Sequence, residues 1–169
     1  MESKRLEWDI VIMRMLEPLI DRSICLKVRT AAFLVIGGNQ IISMGYNGTF
    51  SGAIECPDHW KTEAKKNKKD FKQWIKTPEW RLLHREWSLQ NEVHAEENAL
   101  KNISVTQAKK CTLYTIKSPC VSCTKQILSY GIKRVVYREV YKKEPLQVLI
   151  DAGVQCDNVV PGDYDEKKE

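Results

Sequence analysis

The sequence predicts an α/β domain: a mixed sheet with helices on both faces. Three observations support this. Apolar runs of strand length recur at residues 31–36, 41–46, 111–116 and 134–137. Segments of helical periodicity separate the later runs, and strands spaced by about ten to fifteen helical residues imply crossover units. No repeat, low-complexity tract or Gly/Ser linker divides the 169 residues, so one domain over 1–169 is expected.

The elements follow in order. LEWDIVIMRMLEPLID, residues 6–21, places apolar side chains at helical spacing with Pro18 near the end, which predicts an amphipathic helix. TAAFLVIGGNQIISMGYNG predicts a hairpin, with strands over 31–36 and 41–46 and a turn at Gly37–Gln40. Residues 57–89 are rich in Trp and Lys without a strand pattern, and read as an irregular or partly helical insertion lacking a core of its own. Beyond it the pattern gives a helix over 93–102, a strand over 111–116, a helix over 119–130 and a strand over 134–137. A helix over 145–152 and a short strand over 154–156 follow, and the tail DYDEKKE is expected to fray.

Composition excludes several classes. The chain is 43% apolar and 29% charged, as in an ordinary globular protein. It has no apolar run of about eighteen residues, and MESKRLEWDI has no apolar signal-peptide region, so a cytoplasmic protein with no membrane partner is expected. In that compartment six cysteines stay reduced, which leaves metal ligation or burial to explain them. Much of the net charge of +5 lies in KTEAKKNKKDFKQWIK, residues 61–76. Either a polyanion tract or a solvated face of mixed charge accounts for it; the solvated face is the expectation, and nucleic acid is not an expected partner.

The chemistry is concentrated in two segments. In SPCVSCTKQIL, residues 118–128, Ser118 reads as a helix N-cap and Pro119 as the first helical residue. Cys120 and Cys123 then share one helix face near the positive end of the helix dipole, where thiolates are favoured. Alone, this C-x-x-C is a weak signal, open to a redox pair, half of a structural zinc site or chance. Upstream, NEVHAEENAL adds His94 and Glu96, completing the H-x-E and P-C-x-x-C signature of zinc deaminases. Three protein ligands leave a tetrahedral zinc one open position, the mark of a catalytic site. Water there is acidified towards a pKa of about 7. Glu96 is then placed to take the water proton and deliver it to the base and to the departing ammonia.

Four segments extend the pattern: GYNGTFSGAIEC (45–56), HREWSLQNEVHAEENAL (84–100), TLYTIKSPCVSCTKQIL (112–128) and YGIKRVVYREVY (130–141). With SICLKVRTAAFLV (23–35) and VLIDAGV (148–154), the chain resembles the cytidine and deoxycytidylate deaminase superfamily, and more narrowly the deoxycytidylate (dCMP) deaminases. HREWSLQNEVHAE is similar to the form found in large tailed phages, which implies a phage or related viral source acting in the host cytoplasm. The resemblance implies a three-layer cytidine-deaminase-like fold around a five-stranded sheet. It implies hydrolysis of dCMP to dUMP and ammonia, feeding thymidylate synthesis, by a homohexamer activated by dCTP and inhibited by dTTP, with Mg²⁺ accompanying the triphosphate. It also places Gly45, Tyr46, Asn47 and Gly48 near the nucleotide, with Asn47 at the sugar and the loop backbone tied to effector binding, although Asn-Gly is ordinary turn chemistry as well.

Phage members carry a second, structural zinc, and the matching residues are Cys25, Cys56, His84 and Glu92, with His59 a rival ligand. Such a site would pin the 57–89 insertion. Cys111 and Cys156 lie in apolar runs and are expected to be simply buried. One departure stands out: relatives read V-G-A where this chain has Thr30–Ala31 in VRTAAFLV, which bears on the effector response more than on the chemistry. Arg29 and Lys27 are either phosphate ligands or solvated charges. Tyr137 and Tyr141 either contact a nucleotide or, for Tyr137, fill the core. The same zinc core also deaminates bases in tRNA or single-stranded nucleic acid in other proteins, so that activity, and a non-catalytic zinc module, remain alternatives.

Overall fold

One strand buried on both faces organises the molecule. In the computed structural model, which describes residues 5–164, β1 (Ala31–Ile36) sends Ala31, Phe33 and Val35 into one core, and Ala32 and Leu34 into another. This is why its sequence is a continuous apolar run rather than an alternating one. β2 (Gln40–Tyr46) pairs antiparallel with β1 through a tight turn at Gly37 and Gly38, whose φ values of 60° and 83° suit residues without a Cβ.

On its other edge β1 pairs antiparallel with β5 (Cys111–Lys117), and β5, β6 (Arg134–Glu139) and β7 (Gln155–Asn158) run parallel. The order β2-β1-β5-β6-β7 gives the expected mixed five-stranded sheet. On one face lies α1 (Trp8–Ile20), packing Ile12, Met13 and Leu16 against Phe33, Tyr114 and Val136. The other face is covered by α5 (Ala95–Leu100), α7 (Val121–Tyr130) and α8 (Lys143–Asp151), through residues such as Ala99, Ile127 and Leu149.

The segment expected to be an irregular or partly helical insertion lacking a core of its own is three helices, and they do have a core. α2 (Cys56–Lys66), α3 (Phe71–Trp74) and α4 (Pro78–Asn91) bury Trp60, Trp74 and Trp80, and the Trp74 and Trp80 rings each lie 5.7 Å from the Trp60 ring in edge-to-face contact. Pro57 and Pro78 in the first turns, and the Asp70 and Thr77 caps, start these helices.

Three further boundaries differ from expectation. The helix placed over 93–102 divides, because Glu92–Val93 forms β4 against β3 (Gly48–Thr49) and His94 becomes the N-cap of α5. Cys120, not Ser118, is the N-cap of α7. A short α6 (Val105–Ala108) is set by a capping box between Ser104 and Gln107. Of the tail, residues 165–169 lie outside the described residues.

Candidate active site and metal centres

Two helix starts meet beyond the C-terminal end of β5, the central strand of the sheet. His94 caps α5 and Cys120 caps α7, both in extended backbone conformation, with Cys123 in the first turn of α7. His94 Nδ1 lies 3.2 Å from Cys123 Sγ and 3.3 Å from Cys120 Sγ. A tetrahedral ion with bonds of about 2.3 Å to sulfur and about 2.0–2.1 Å to nitrogen separates such atoms by about 3.5 Å, so the donors are spaced as the edges of a zinc polyhedron. A hydrogen bond from Cys123 holds the Cys120 thiol down to about 3, while the same partnership pushes Cys123 up. The hydrogen bond to Cys120 raises His94 to about 9. A metal here takes thiolate and neutral imidazole donors, so its binding is coupled to proton release.

Glu96 follows in the first turn of α5 with only 5% of its surface exposed. Burial pushes its carboxyl above the ordinary carboxylate range.

The second set of residues also converges. His84 Nε2 lies 3.5 Å from Cys25 Sγ and 3.4 Å from Cys56 Sγ, and Cys25 Sγ is 3.5 Å from Glu92 Oε2. All four donor atoms lie within 4.8 Å of one another. A hydrogen bond from Cys56 lowers Cys25 to about 3, and burial raises Glu92 to about 8. Glu92 Oε1 is buried without a partner, so a cation here would satisfy a donor set otherwise left incomplete. His59 is not in this cluster; its ring stacks on Trp87 at 4.6 Å.

His94 and Cys120 of the first cluster and Cys25, His84 and Glu92 of the second line one cavity of about 540 Å³, which also takes in Thr30, Asn47, Tyr141 and the cations Lys27, Arg85, Lys117, Lys125 and Lys142. Asn47 is buried at its wall: its Oδ1 accepts from Ser23 Oγ and Thr30 N, each at 2.8 Å, and its Nδ2 donates to Val28 O. The rest of the loop is occupied by the fold. Gly45 is pressed against α5, the Tyr46 carbonyl accepts from Asn98 Nδ2, and Gly48 pairs with Val93.

Gly45, Tyr46 and Gly48 do not line the cavity, and neither do Arg29 and Tyr137. Arg29 is turned outward to Asp21 at 2.7 Å, and Tyr137 packs into the core beneath the helices. Conversely, Arg85, Lys117, Lys125 and Lys142 line the cavity without having been singled out as candidates. Their positions in or beside the motif segments were the available signal.

The fold and site together define a class: a zinc-binding deaminase core with a buried glutamate beside a three-donor metal cluster. The chain belongs to the family described as the cytidine and deoxycytidylate deaminase zinc-binding region, matched over residues 6–139. The deoxycytidylate deaminase of Enterobacteria phage T4 is 33% identical over 144 residues, covering 71% of this chain and 74% of that protein. The Homo sapiens deoxycytidylate deaminase is 31% identical over 132 residues, covering 78% of this chain and 65% of that protein. The crystal structure of the dCMP deaminase from cyanophage S-TIM5 in complex with dCMP and dUMP shares the fold, with a TM-score of 0.63 at 24% identity over 93% of this chain and 100% of that one.

Proposed function

We propose that the chain hydrolyses dCMP to dUMP and ammonia at the His94, Cys120 and Cys123 cluster, with Glu96 as proton carrier. The observation that most supports this is the buried Glu96 beside a three-donor cluster on the wall of a cavity large enough for a nucleotide. Zinc bound there supplies Lewis-acid activation of water at neutral pH. Glu96 takes a proton from the water as its oxygen bonds to C4 of the pyrimidine, and passes it to the adjacent ring nitrogen. It then moves the second proton to the exocyclic nitrogen, the C4–N bond breaks with its electron pair leaving on ammonia, and the carbonyl of dUMP forms.

A monophosphate needs fixed cations. The cations on the cavity wall, Lys27, Arg85 and Lys125 among them, are better placed for it than Arg29. Cys25, Cys56, His84 and Glu92 hold a second, structural zinc that joins the tryptophan helices to the sheet. Family resemblance supports the rest of the reading: a homohexamer in the host cytoplasm supplying dUMP for thymidylate synthesis, activated by dCTP and inhibited by dTTP, each bound with Mg²⁺. Deamination of a nucleic-acid base is less favoured, because Lys61, Lys66 and Lys69 of the basic segment are paired with Asp58, Glu63 and Glu79.

Glu96→Ala is expected to retain its zinc by elemental analysis and to lose ammonia release at saturating dCMP by a factor of about 10² or more. Normal turnover in that variant would remove Glu96 from the mechanism. Zinc content is expected near two per chain.

A further inference from the structure

Val93 alone separates Glu92, a donor of the second cluster, from His94, a donor of the first. His94 is held on its C-terminal side by α5: its carbonyl accepts from Asn98 N at 2.9 Å, and the helix is pressed onto β2 at Gly45. On its N-terminal side it is held by β4, which is two residues long and paired only with the two residues of β3. A ribbon this short has little stability of its own. β4 continues from α4, whose C-cap Glu92 donates its N–H to the Ser88 carbonyl, and its side-chain anchor is the Glu92 carboxylate, 3.5 Å from Cys25 Sγ in the four-donor cluster, with Oε1 buried and unpartnered.

We propose that Glu92 is a positioning residue for the catalytic centre: metal held at the second cluster fixes β4 and through it the His94 ring, so the two metal affinities are coupled. This rests on the two-metal reading above. It assigns the second cluster a role beyond pinning the tryptophan helices, namely setting how tightly the first cluster holds its ion. Because coupling between two binding equilibria is reciprocal, loss of the first metal must weaken the second by the same factor.

The test is competition for Zn²⁺ between the full chain and a chromophoric chelator, for the wild type and for Glu92→Gln, Cys56→Ala and Cys120→Ala. Glu92→Gln keeps the side-chain shape, and thermal unfolding checks that it remains folded. Glu92→Gln and Cys56→Ala are each expected to weaken Zn²⁺ binding at the His94, Cys120 and Cys123 cluster by about tenfold or more, as loss of an outer support does at other metal sites. Cys120→Ala is expected to weaken the second site by the same factor as Cys56→Ala weakens the first. Two zincs per wild-type chain with unchanged first-site affinity in folded Glu92→Gln overturns the coupling alone. One zinc per wild-type chain overturns the two-metal reading with it.

Discussion

At the scale of the residue, Gly45 shows how a motif position can serve packing. A Cβ there would lie 2.2 Å from the Ala95 carbonyl oxygen and 2.5 Å from the Ala99 amide nitrogen, both backbone atoms that move only if α5 moves. Since His94 and Glu96 ride on α5, Gly45→Ala is expected to cost about 1–3 kcal/mol in thermal unfolding and to lower zinc content; a variant with unchanged melting and full metal would contradict this. Asn47 is similar, because three of its hydrogen bonds join Ser23, Thr30 and Val28 into the cavity wall. The first cluster and Glu96 are legible because the pattern is local: His94 and Glu96 lie in one segment, Cys120 and Cys123 in another. The second cluster is spread from Cys25 to Glu92, so spacing announced nothing and resemblance alone pointed to it. Arg29 misled because its partner, Asp21, lies in the preceding turn, where sequence pattern does not show a pairing.

At the scale of the element, Ser118 was expected to cap a helix because Ser-Pro commonly begins one. The helix starts later, which frees the hydroxyl for another task. Ser118 N donates to the Glu139 carbonyl and Ser118 Oγ accepts from Tyr141 N, both at 2.8 Å, strapping the segment after β6 over the cavity. Ser118→Ala is expected to release Tyr141 and Lys142 and raise KM for dCMP several-fold, about 1 kcal/mol, with kcat nearly unchanged. Unaltered KM in steady-state kinetics would show that the strap does not hold substrate. The tryptophan helices are hard to read for a physical reason: lysines crowd residues 61–76 and mask the pattern of α2 and α3, whereas α4, which has no lysine, carries Trp80, His84 and Trp87 at helical spacing. The Ser104 and Gln107 capping box was likewise present in the sequence and marks α6.

At the scale of the whole molecule, the three layers were legible because apolar run lengths and intervening helices fix an α/β sandwich, while strand order needed the structure. A polar network ties α1 to that sheet. Arg134 pairs with Asp9 at 2.6 Å and with Asp157 at 2.7 Å, and Tyr114 Oη donates to Asp9 at 2.5 Å. Chiefly through the hydrogen bond from Arg134, Asp9 is held below its ordinary pKa of 3.8. Its contribution is therefore fully present above that value and lost as pH falls through the depressed one. Wild-type stability by urea unfolding is expected to drop below about pH 4 more steeply than that of Asp9→Asn; parallel acid limbs would exclude Asp9 as a source. The central claim concerns chemistry, and its most direct measurement is ammonia and dUMP formed from free dCMP by the fully zinc-loaded chain. Equal amounts of both products, abolished by Glu96→Ala, are predicted. A chain carrying both zincs that leaves dCMP intact would contradict the account.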